Sequence, residues 1–113
     1  MDTIYKIYEN DIGIAFKWEK GAELTQVIFR DTGFHISEEE IAIFIENVKQ
    51  SRLTSACADC KVGGNCRSLL LKTPFHKVSI AVSIEELIAL EELFEGVLFQ
   101  LNLNKYLDFL CKN

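Results

Sequence analysis

With 113 residues and 12.9 kDa, the chain has room for one domain, residues 1–113. It is 49% hydrophobic with a single proline, which excludes both a disordered chain and a core-poor domain that needs disulfide staples. A net charge of −5 argues against global attraction to nucleic acid.

The first half alternates with period two. Residues 4–8 read as a short strand, joined through Glu9, Asn10 and Asp11 to a second in which Ile12, Ile14, Phe16 and Trp18 alternate with Gly13, Ala15 and Lys17. After Gly21, residues 24–30 read as a third strand. Asp31-Thr32-Gly33 makes a turn, and residues 34–36 form a short fourth strand. At Ser37 the period changes. Ser37 with Glu40 has the capping-box spacing, and Ile41, Phe44, Ile45 and Val48 fall on one helical stripe that fades near residues 51–53.

A cysteine loop at about 54–67 follows, then strands at 68–72 and 78–82 around Thr73-Pro74-Phe75-His76. Ser83 with Glu86 is a second capping box, opening a helix that buries Leu87, Leu90, Phe94, Val97, Leu98 and Leu101. Asn102 and Asn104 predict a break, with 105–111 as a separate short helix. Ile88, Leu93, Phe99, Leu103, Tyr106, Leu107, Phe109 and Leu110 are more apolar positions than one face can hide, so a homodimer through the C-terminal helices is expected. The fold class is α+β: an antiparallel sheet of about six strands with two main helices on one face. The order strand, strand, capped helix recurs in the two halves, which reads as a repeat with the cysteine loop inserted between its copies.

The chemistry concentrates at Cys57-Ala58-Asp59-Cys60-Lys61-Val62-Gly63-Gly64-Asn65-Cys66. Met1 to Lys6 lack a basic region leading into an apolar run, and residues 87–103 are interrupted by Glu91, Glu92 and Glu95. The expected setting is therefore a reducing cytoplasm without membrane contact, where clustered cysteines serve as metal ligands or redox thiols. Cys57 and Cys60 have the spacing of a zinc turn, and Cys66 can fold back across the two glycines. Structural zinc on Cys57, Cys60 and Cys66 is the leading expectation. Cys111, Asp59, His35 and His76 are the candidates for a fourth ligand.

Thiol–disulfide exchange is the alternative, with Lys61 and Arg67 supplying positive charge, although the pair does not open a helix as a thioredoxin-like site would. Free thiols in a plain dimeric interaction module are the third reading. Between Lys49 and Lys77 the chain carries six basic residues and one acid, while the remainder carries six basic and sixteen acidic residues. Arg52, Lys61 and Arg67 are accordingly candidate contacts for an anionic partner.

Catalytic signals are weaker. Asp31-Thr32-Gly33 matches the active-site triplet of aspartic proteases, but Arg30 stands where that family has an apolar residue, and two helices do not suit its fold. His35 and His76 have no nucleophile or paired carboxylates at a catalytic spacing. No phosphate-binding glycine loop is present. Enzymatic function is thus not the expectation. The Cys-x2-Cys-x5-Cys-Arg stretch running on to Pro74, together with Ser83-Ile84-Glu85-Glu86-Leu87, resembles a family of small uncharacterised bacterial proteins. That likeness covers the second half of the chain and implies no activity.

Overall fold

The computed structural model describes residues 4–19, 21–55, 67 and 69–111. Strands β1 (Tyr5–Glu9), β2 (Gly13–Lys17), β3 (Thr25–Phe29) and β4 (Thr32–Ile36) form an antiparallel meander in the order β1-β2-β3-β4. Helix α1 (Glu38–Ser55) follows, then a hairpin of β5 (Leu69–Lys72) and β6 (Ser79–Val82), and helix α2 (Ile84–Cys111). The α+β class holds. The single sheet of about six strands does not, because among the described residues β5 and β6 pair only with each other, in a sheet of their own. The strand–strand–helix order recurs, yet without the common sheet that a repeat would lead one to expect.

Both helices start where the capping boxes demand. Ser37 Oγ accepts from the Glu40 N–H at 3.2 Å while Glu40 Oε1 accepts from the Ser37 N–H at 2.9 Å. Ser83 and Glu86 repeat the exchange at 3.1 and 2.9 Å. Each box satisfies two backbone donors that a bare helix start would leave open. At its other end α2 runs unbroken through Asn102 and Asn104, against expectation. An asparagine costs a helix only about 0.5 kcal/mol, too little to stop one already propagating.

The core lies between the helices and one face of the meander. Ala15, Val27, Phe29, Phe34 and Ile36 come from the sheet, Ile41, Phe44 and Val48 from α1, and Leu87, Leu90, Leu93, Phe94 and Val97 from α2. Four rings tie the elements together. Phe75 stacks on Phe34, Phe34 meets Phe44 edge-on at 5.2 Å, and Phe44 stacks on Phe94 at 4.5 Å. Strand β2 turns Ala15 into this core, while Phe16, on the other face, is buried outside it and meets Trp18 edge-on. The smaller side of β2 faces the core because α2 approaches closely there: a Cβ on Gly13 would lie 3.1 Å from Leu93 Cδ2.

Three ion pairs fix how the helices run. Glu38 pairs with Lys105, Lys49 with Glu95 and Arg52 with Glu91. Rising numbers on α1 meet falling numbers on α2, so the helices are antiparallel and the end of α1 lies beside the start of α2. The molecule measures 55 × 29 × 27 Å. Helix α2, about 42 Å long at 1.5 Å per residue, exceeds both shorter dimensions and therefore follows the long axis.

Candidate functional site

Cys57, Cys60 and Cys66, with Asp59 and Lys61, lie outside the described residues. What flanks them is placed. Arg52 reaches Glu91 of α2, and Arg67 grips Glu86 through Nε and Nη2 at 3.0 and 2.9 Å. The two glutamates are five residues apart, about 7.5 Å along the helix. Both flanks of the cysteine segment are thus tethered to the first two turns of α2.

Glu86 has several partners at once. It closes the Ser83 cap, takes the fork of Arg67 and lies 3.6 Å from Arg30 Nη1. Burial pushes its carboxyl up. The Arg67 and Ser83 hydrogen bonds and the charges of Arg30 and Arg67 outweigh that, and hold it below the ordinary carboxylate value. Arg30 belongs to the two-residue β3–β4 turn and takes φ 56°, a left-handed conformation that favours glycine. It is retained by its contacts: Nη2 donates to Ala81 O at 3.1 Å, and the guanidinium lies 4.4 Å from the Phe29 ring centre. Asp31-Thr32-Gly33 is part of this hairpin, with Phe29 opposite Thr32 and Ile28 opposite Gly33.

The candidate fourth ligands are dispersed. Cys111 ends α2 about 37 Å along the axis from Glu86, the partner of Arg67. His76 lies in the β5–β6 turn, beyond the Lys72–Ser79 pair and at the far end of the hairpin from Leu69. His35 is exposed on β4, opposite Gln26 and on the face turned away from the core. Among the described residues no three His, Cys, Asp or Glu side chains are grouped to hold a metal ion.

Three of the six basic residues of the 49–77 run are paired within the molecule. Lys49, Arg52 and Arg67 pair with Glu95, Glu91 and Glu86, so the positive segment and the acidic helix offset each other.

The feature that sequence reading caught only as a surplus is on α2. At 100° per residue, Leu87, Leu90, Phe94, Val97 and Leu101 centre on one line, and all are buried. Phe99, Leu103, Tyr106 and Leu110 centre on a line about 170° round from it. They are 66%, 36%, 60% and 49% exposed. Their spacing of four, three, four is that of a coiled-coil seam. The only charges between residues 99 and 111, Lys105 and Asp108, face back towards β1, where they line a cavity of about 520 Å³ with Tyr5, Lys6 and Glu38. The projecting half of α2 therefore turns its polar side to its own domain and its apolar side to solvent. Among the described residues, no helix is long and apolar enough to cross a membrane. Comparison with protein-family models, with curated proteins and with solved structures finds no match to this chain.

Proposed function

We propose that this protein is a non-enzymatic assembly module that pairs with a second copy of itself through residues 99–110 of α2. The observation that carries the reading is the inverted polarity of that segment. A helix end that belonged only to its own domain would bury its apolar side and expose its charges. Phe99, Leu103, Tyr106 and Leu110 together expose on the order of 400 Å², about half of what one partner gives to a standard interface. Gln100, Asn102 and Leu107 flank them and carry no charge, so two copies meet without like-charge repulsion.

Sedimentation velocity across a dilution series ending at about 100 µM tests this. The expected result is a species of twice the 12.9 kDa chain mass, converted to monomer by Leu103→Glu with an unchanged circular dichroism spectrum. A wild-type monomer throughout the series overturns it.

A second reading concerns the cysteine segment and is favoured by its tethered flanks. Fixing Arg52 and Arg67 on neighbouring turns of α2 shortens the loop that Cys57, Cys60 and Cys66 would have to close around zinc, which lowers the entropic cost of convergence. One zinc per chain, with thiols protected until a chelator is added, is the expected outcome of elemental analysis and thiol titration. Metal-free protein with a reversible two-thiol change would favour the redox alternative instead. An anionic partner for residues 49–77 would have to displace the ion pairs of Lys49, Arg52 and Arg67.

A further inference from the structure

Resting on the self-pairing just proposed, we infer that the two α2 segments pair antiparallel, placing the two domain bodies at opposite ends of an elongated dimer. Three observations carry the orientation.

The first is the sequence of the seam. In an antiparallel pair with Phe99 opposite Leu110 of the second copy, Leu103 falls opposite Tyr106. Every layer then joins one aromatic side chain to one leucine. A parallel pair would set Phe99 on Phe99 and Tyr106 on Tyr106, bringing two phenol hydroxyls together at the seam and leaving the leucine layers thin.

The second is charge. Followed towards the helix start, the same line meets Glu95, which pairs with Lys49 of α1, and then Glu92, which accepts hydrogen bonds from Tyr8 and Asn10. A parallel pair continued along the helices would have to displace these partners and bring each glutamate towards its own copy, a like-charge approach that costs energy even near a surface. The antiparallel pair uses only residues 99–110, where the outward face has no charge. Sliding it by one heptad towards the domain would put Glu92 opposite Leu110, and sliding it the other way would leave only Tyr106 and Leu110 in contact.

The third is shape. Leu101 is the last buried residue of α2 and residues 102–111 are all exposed, with β1 and Glu38 lying along the side of the helix that carries Lys105 and Asp108. Twelve overlapped residues, about 18 Å, can lie side by side without bringing the bodies into each other's space. Twice the 55 Å long axis, less that overlap, makes a particle about 90 Å long.

Small-angle scattering of the wild-type protein reads this directly. The expected maximum dimension is about 90 Å, whereas a side-by-side parallel dimer would stay close to the 55 Å length of one chain. Oxidative cross-linking of Phe99→Cys/Leu110→Cys, mapped by peptide mass, is the second measurement. A linkage between positions 99 and 110 of different chains is expected. A compact dimer, or linkage of 99 to 99, overturns the antiparallel arrangement while self-pairing stands. A wild-type monomer in the same scattering experiment overturns both.

Discussion

The ring of Tyr8 fills the space that a Cβ on Gly96 would need, with ring atoms only 2.5–2.7 Å from that position. Its hydroxyl donates to Glu92, one turn earlier on α2, and Asn10 donates to the same carboxylate and to Ala89 O. Strand β1 is fastened to α2 through this contact. Gly96→Ala should gain about 1 kcal/mol of helix propensity but displace the ring and its charge-assisted hydrogen bond, for a net loss of about 1–2 kcal/mol. Urea denaturation reads the loss. Adding Gly96→Ala to Tyr8→Ala should instead stabilise, because the clash is then gone.

Gly13 is the more severe case. A Cβ there would stand 2.4 Å from the carbonyl oxygen of Ile28, a backbone atom held by the β2–β3 ladder. No side chain can give way. Gly13→Ala should cost about 3 kcal/mol, near the upper end of overpacking effects, and lower the thermal midpoint by about 10 °C.

The Glu86 carboxyl sets an acid limb of stability. Its pKa is lowered in the folded chain, so it contributes at pH values above the unfolded carboxylate value of about 4.3, and that contribution fades as pH falls below it. Arg67→Gln should be less stable than wild type at neutral pH and converge on it near pH 3. A constant difference at both pH values would refute the assignment. At the alkaline end, the hydrogen bond to Glu92 raises the Tyr8 pKa, so its share persists below about pH 10 and is lost above.

Residues 102–111 are helical yet all exposed, so they bury no side chain in their own domain. An isolated helix end of that length is marginal in water. Amide protection in this segment should therefore rise with protein concentration, while protection in residues 87–97 should not. Hydrogen exchange at two concentrations checks it, and equal protection at both would count against pairing.

Much of the fold can be read from local chemistry. Two serine–glutamate boxes place the helix starts, and the period-two runs place the strands. The pairing of β5 with β6 alone is a long-range outcome, and apolar alternation does not carry it. That Ala15 rather than Phe16 joins the main core depends on how near α2 passes, which Gly13 and Gly96 permit but do not announce. Asn102 and Asn104 mislead because their propensity cost is smaller than the gain of continuing a helix. The apolar surplus near the C-terminus is legible in residue types alone. Its direction is not, since that requires knowing that α1 and β1 lie on the other side of the helix. The cysteine spacing is equally plain in the chain, and its geometry falls on residues the structure does not describe.

Glu86 draws together stretches of polypeptide that are far apart in order of synthesis: the hairpin corner at Arg30, the strand lead-in at Arg67 and the cap at Ser83. A nascent chain halted before position 86 leaves that corner without its acidic clasp. The last helix thus completes the corner of the early meander, so truncation that removes α2 should destabilise strands some fifty residues earlier in the sequence.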